Sequence, residues 1–197
     1  MSARDTVLKK IRASMRVAAS EADRRETVAA RLAETPTGVI PARAKLPKAG
    51  QLELFCAMAS QFGATMTRVD DYTKVPAEVS AYLRARNLPA EIRMGADKRL
   101  KKAQWDSEPN LEVRHGASDG GDLAGVSHAF AGIAETGTLA LASGPDNPTT
   151  INFLPEHHIV VLKAADIKGD MESVWAMLRK ARGKGAMPRA LHIVIVG

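Results

Sequence analysis

Glu135 stands where turn chemistry has no need of an acid. It follows the apolar run AFAGIA (residues 129–134) and precedes Thr136-Gly137-Thr138, after which a second apolar run, LALAS, begins. A partly buried glutamate at such a corner can serve as general base or nucleophile once its environment tunes it. Gly137 permits a positive φ and close approach of a ligand backbone or anion, and the hydroxyls of Thr136 and Thr138 can hold the carboxylate or an anionic substrate. A hydrogen-bonded hairpin anchor explains the same residues equally well. Both readings stay open at the level of residue types.

The histidines add a second group. Five are present, and His157-His158 follow Pro155-Glu156 at the entrance to an apolar strand. Successive strand residues face opposite sides, so at most one of the pair enters a given pocket. Adjacent histidines beside a glutamate lack the spacing of a helical metal site, and no metal is expected. A third group is the loop SDGGDLAG, residues 118–125, in which Gly120 and Gly121 can present backbone N–H groups to an anion. Its aspartates oppose a phosphate, and a plain turn is the simpler reading. No G-x-x-x-x-G-K-[ST] occurs, and no G-x-G-x-x-G follows a strand.

These groups need elements to position them. Val7, Leu8, Ile11, Met15, Ala18 and Ala22 recur at helical spacing, which predicts a helix continuing to Glu34, before the breaker TPTG. A linker with Pro41 and Pro47 follows, then a helix over 50–62. TMTRVD (65–70) is expected as a strand. Pro76 opens a helix reaching Asn87. Strands are expected at PAEIRMG and LEVRH, with a short helix over ADKRLKKAQW between them. Residues 129–143 are too short for a parallel crossover and should make a local hairpin. Met171, Val174, Trp175 and Leu178 mark an amphipathic helix capped by Asp170, and LHIVIVG closes the chain as a buried strand. This alternation predicts an α/β fold: a mostly parallel open sheet with flanking helices. The expected organisation is an N-terminal helical arm over 1–37, a linker over 38–50 and an α/β domain over 51–197.

Composition excludes several classes. The chain has 197 residues and a net charge of +6. Basic residues cluster in the first 31 and in MGADKRLKK (94–102), while residues 115–170 carry seven carboxylates against Lys163 and Lys168. Cations alternate with acids on the helices and aromatics are scarce, so no nucleic-acid partner is expected. No apolar run approaches the ~20 residues of a membrane span, and the N-terminus lacks a secretory apolar core. A cytoplasmic location is expected. The single cysteine, Cys56, cannot hold an iron–sulfur cluster, which takes about four thiolates. It shares a helical face with Leu52, Phe55 and Ala59 and is expected to be a buried structural thiol. Any redox chemistry would borrow its electron carrier from a partner.

The run Ala-Phe-Ala-Gly-Ile-Ala-Glu-Thr-Gly-Thr-Leu (129–139), followed in order by Leu154-Pro155-Glu156-His157-His158-Ile159, resembles the LUD domain family, in its lactate-utilization branch. The likeness is strong from about 120 to 196 and weak before about 90. It implies a fold like that of the glucosamine-phosphate isomerase, ribose-phosphate isomerase and CoA-transferase group. It also implies a role in oxidising L-lactate to pyruvate beside two partners that carry iron–sulfur clusters, with no cofactor bound by this chain. The likeness singles out His158 over His157. With Glu135 it forms the expected catalytic pair, and Thr136, Gly137, Thr138, Gly120 and Gly121 are the expected substrate contacts.

The resemblance further implies a continuation of the type Pro-Ser-Arg-Thr-Ala-Asp after the last strand, whose arginine would suit a lactate carboxylate. This sequence ends at Gly197. An uncovered sheet edge there would favour association with a second subunit, so a homo-oligomer is an expectation. Three functions follow: an accessory subunit of a lactate-oxidising complex, a small-carboxylate-binding or regulatory domain, and a CoA-transferase-like enzyme using Glu135.

Overall fold

A computed structural model describes residues 2–15, 21–34, 36–183 and 186–195. Two compact units divide the chain, residues 1–39 and 40–197. The first holds α1 (Ala3–Ser14) and α2 (Glu21–Glu34). Ser2 and Asp5 close a capping box on α1, each satisfying the other's backbone N–H. The expected single helix ends at Ser14 with Met15 as C-cap, and its continuation through Ala18 lies outside the described residues. The apolar stripe Val7, Leu8, Ile11, Met15 is exposed.

The second unit contains two four-stranded sheets. β1 (Glu91–Met94), β2 (Glu112–His115), β3 (Ala124–His128) and β6 (His157–Val161) form a parallel sheet in the order β2-β1-β3-β6. β4 (Ala131–Ile133), β5 (Thr138–Ala142), β7 (Ile167–Lys168) and β8 (Leu191–Ile195) form a mixed sheet in the order β7-β4-β5-β8. The architecture is α/β with a mostly parallel sheet flanked by helices. α3 (Lys48–Gln61) starts inside the segment expected as linker, after a 3-10 turn at Ala42–Lys45.

α4 (Val75–Ala85) carries Pro76 in its first turn, where a missing N–H costs nothing. Its Val75, Val79 and Leu83 pack on Ile92, Met94 and Val126 of the parallel sheet. Each such fully buried side chain contributes about 1.5–3 kcal/mol through the area it removes from water. Asn87, at φ 53, ends the helix in the left-handed conformation while Leu88 N–H bonds back to Leu83 O at 2.9 Å. α5 (Met171–Arg182) is capped by Asp170, whose Oδ1 accepts from Ser173 N at 2.7 Å, and buries Val174 and Leu178.

Four local expectations are corrected. Residues 65–70 form no strand; all six are exposed, so no buried face rewards their β-branched character. The expected helix over 96–105 is two 3-10 turns, Leu100–Ala103 and Trp105–Ser107. Cys56 is half-buried and accepts a hydrogen bond from Arg68 Nη2 at 3.2 Å. β8 is an edge strand with half-buried residues at 191–194, because among the described residues only β5 pairs with it; residues 196 and 197 lie outside them. The expected hairpin is present as the antiparallel pair β4–β5.

Candidate functional site

Three parallel strands deliver loops to one edge of the first sheet. β1 ends at Met94 and leads to Asp97 and Arg99. β3 ends at His128 and leads to Ala129. β6 ends at Val161 and leads to Asp166. In open α/β sheets the carboxyl ends of the strands are where ligands bind. Tyr72, just before α4, leans over this edge.

The geometry there is tightly specified. His128 is fully buried, and its Nδ1 lies 2.7 Å from Ala129 O. A carbonyl only accepts, so Nδ1 carries the proton and neutral His128 presents a lone pair at Nε2. Tyr72 Oη lies 2.8 Å from that Nε2 and therefore donates to it. The two rings stack at 5.8 Å. Arg99 donates through Nε to Asp97 Oδ1 at 3.0 Å, through Nη2 to Oδ2 at 2.6 Å, and through Nη1 to the same Ala129 O at 3.2 Å. These three bonds leave two of the five N–H donors of a guanidinium. Arg99's side chain is 38% exposed.

The charges are mutually adjusted. Burial pushes the Asp97 carboxyl up, but the side-chain and backbone bonds from Arg99 overcome it and hold the group below the usual carboxylate range. Burial pulls Arg99 down, but its bond to Asp97 and the charges of Asp97, Tyr72 and Asp166 together hold it above its ordinary value. Burial, with help from the Arg99 charge, lowers His128 and keeps it neutral. Burial raises Tyr72, opposed by Arg99 and assisted by Asp166 and Asp97. The edge thus holds one anchored cation, one buried anion and a neutral tyrosine–histidine relay.

The residues expected from the sequence fall in other places. Glu135 Oε1 accepts from Met171 N at 3.2 Å, on the first turn of α5, and Glu135 N donates to Gly169 O at 3.1 Å. A carboxylate at a helix N-terminus is favoured by the orphan N–H groups and the helix dipole. Thr136 and Thr138 are brought together with it in one turn, their hydroxyls 2.7 Å apart. Gly137 has φ 67, and a Cβ there would stand 2.5 Å from Ala59 N, so its close approach is to α3. His158 lies on the other face of the parallel sheet, where its Nε2 is 2.6 Å from Ser127 Oγ; burial holds it at about 4. Gly120 N donates to Ser118 Oγ and Gly121 N to Asp119 Oδ1, which closes the glycine loop on itself. Among the described residues no hydrogen bond joins Glu135 to His158 or either to the Tyr72–His128 pair, and no group of three or more His, Cys, Asp or Glu is placed to hold a metal.

Sequence reasoning passed over Tyr72, Asp97, Arg99 and His128. Asp97 and Arg99 lay inside a basic run that looks like a solvated face, and His128 lay in AGVSH, which carries too little β-branched character to announce a central strand. The available signal was the D-x-R spacing directly after the strand EIRM, at the edge where ligands gather.

No curated protein matches the chain significantly. The crystal structure of a DUF162 family protein from Deinococcus radiodurans, at 1.70 Å resolution, is similar in fold, with a TM-score of 0.61 and 21% identity, covering 77% of this chain and 90% of that one. The family model described as the LUD domain matches residues 6–195. The chain belongs to the LUD domain family.

Proposed function

We propose that this chain is an accessory subunit of an iron–sulfur lactate-oxidising system, in the manner of lactate utilization protein C, and that it binds the small 2-hydroxy acid at the edge formed by Tyr72, Asp97, Arg99 and His128. The observation that carries this reading is the Arg99 guanidinium. It is fixed by Asp97 and Ala129 O, keeps two donors in hand, and stands beside a tyrosine–histidine relay. A planar cation of this kind suits a carboxylate in two-point contact.

In this reading Arg99 takes the carboxylate, and Asp97 keeps the guanidinium from swinging away. Tyr72 Oη accepts the hydrogen bond of the substrate hydroxyl and is itself held in place by donating to His128 Nε2. Oxidation of lactate to pyruvate releases two electrons and two protons, one from the hydroxyl and one from the α carbon; in the complex the partner subunits' iron–sulfur clusters would accept the electrons and the protons would pass to solvent. One cysteine in the whole sequence is consistent with this division of labour. Glu135 has a structural task here, since it completes the N-terminus of α5.

Co-expression with candidate iron–sulfur partners tests the reading. The chain should co-purify with them, and lactate-dependent dye reduction should require its presence. Full activity of the partners without this chain would contradict it.

A further inference from the structure

The edge site has a hydrogen-bond polarity that selects among small carboxylates, a deeper statement that rests on the placement of the ligand at Arg99. His128 Nδ1 faces a carbonyl oxygen, Ala129 O at 2.7 Å, and can only donate there. Neutral imidazole then has a single acceptor, Nε2, and Tyr72 fills it at 2.8 Å by donating its only proton. His128 is fully buried and Tyr72 half-buried, so of the pair it is the tyrosine that a ligand at this edge would meet. What that oxygen still presents is lone pairs. The group that meets it must therefore be a donor.

We infer that the Tyr72–His128 pair makes the site selective for carboxylates bearing a hydrogen-bond donor on the α carbon, 2-hydroxy acids, over 2-oxo acids. A 2-oxo acid brings an acceptor to an acceptor, and the mismatch leaves two lone-pair groups opposed in a partly desolvated place. Tyr72 could face the oxo group with its proton only by abandoning His128 Nε2, which is buried and has no other donor among the hydrogen bonds of the described residues. The groups whose charge reaches the pair are Arg99 and Asp97 from the loop after β1 and Asp166 from the turn after β6. Burial and the Arg99 cation keep the imidazole neutral, which preserves the polarity at neutral pH. His128 is thus a positioning residue, and Tyr72 is the residue that touches the ligand. In a reaction that makes the 2-oxo acid, the same polarity favours substrate over product and assists product release.

Calorimetric titration of the full chain at pH 8 with L-lactate, pyruvate and propionate tests this without relying on a variant. Propionate carries the carboxylate alone and reports the Arg99 contribution. Lactate should bind about tenfold more tightly than pyruvate, with propionate between them or level with pyruvate. Tyr72→Phe keeps the ring and its stacking on His128; it should bring lactate down to the level of propionate and leave pyruvate unchanged or improved. Lactate binding no better than propionate, pyruvate binding as well as lactate, or a preference surviving Tyr72→Phe would overturn the inference while leaving a carboxylate site at Arg99. Absence of binding by all three acids would overturn the Arg99 placement together with it.

Discussion

His128 and Arg99 donate to one and the same oxygen, the carbonyl of Ala129, at 2.7 Å and 3.2 Å. This shared acceptor ties a neutral imidazole to a fixed cation at the end of the central strand β3. It sets the tautomer of the first and the orientation of the second with a single backbone atom.

Replacing Arg99 separates its two tasks. Arg99→Gln removes the carboxylate anchor and leaves the buried Asp97 carboxylate without its cation. Lactate affinity should fall on the order of 10–100-fold, from the ~1.5–3 kcal/mol of a charged hydrogen bond, and urea stability should fall as well. The double variant Arg99→Gln with Asp97→Asn should recover much of the stability and none of the binding. Recovery of binding in the double variant would place the anchor elsewhere.

Acid should weaken the fold through His158. Its pKa is about 4 in the folded chain against an ordinary 6.5, so the unfolded chain takes up a proton first as pH falls. The stability involved is fully present above 6.5 and is lost between 6.5 and 4, amounting to about 3 kcal/mol. His128 and Asp97, both held low, add losses of the same sign; for Asp97 the loss begins within the ordinary carboxylate range, where the unfolded carboxyl takes up its proton, and continues below it. Urea unfolding at a series of pH values should show this decline, and His158→Gln should flatten it. An equal slope in the variant would remove His158 as the cause.

Gly137 should tolerate no side chain. It has φ 67, and a Cβ would stand 2.5 Å from Ala59 N and 2.8 Å from Met58 C, both backbone atoms of α3. Gly137→Ala should destabilise by about 2–4 kcal/mol from strain and overpacking together. Gly144→Ala, with nothing within 4 Å of the new Cβ, should change the melting temperature little. Equal melting temperatures for the two variants would contradict the packing of the turn on α3.

Glu135 should show a stability effect that tracks its acceptor oxygen. Glu135→Gln keeps an oxygen for Met171 N and should cost little, while Glu135→Ala orphans that N–H and should cost about 1 kcal/mol. Thermal unfolding of both variants decides it; an equal loss for Gln and for Ala would show that the charge, and not the bond, matters.

The parts of the fold legible in the sequence are those whose cause is local. α5 announces itself because Met171, Val174, Trp175 and Leu178 share one face and Asp170 caps it. The hairpin β4–β5 is legible because the link between two apolar runs is too short for anything else. The strand expected over 65–70 failed because strand residues need a neighbour and a buried face, neither of which a sequence window contains. β3 was missed for the converse reason. Its Gly125 is required by Ile151 and Pro155, which lie within 3.1 Å of where a Cβ would be, and that constraint comes from residues distant in the chain. The edge site is illegible for the same reason, since Tyr72, Asp97, His128 and Asp166 meet only through the parallel order of β1, β3 and β6. The Glu-Thr-Gly-Thr corner drew attention because its residue types suit chemistry; the approach of Gly137 to α3 and the Glu135 bond to Met171 N on α5 give two of those residues a structural task as well.

The most direct test of the account compares two variants in the reconstituted system. Lactate-dependent dye reduction would be measured for the chain co-expressed with iron–sulfur partners, as wild type, Arg99→Gln and Glu135→Gln, after each complex is shown to assemble. With Arg99→Gln, kcat/KM for lactate should fall on the order of 10–100-fold; with Glu135→Gln it should stay near wild type. Activity that survives Arg99→Gln and disappears with Glu135→Gln would contradict it, and would move the site from the edge of the parallel sheet to the hairpin corner.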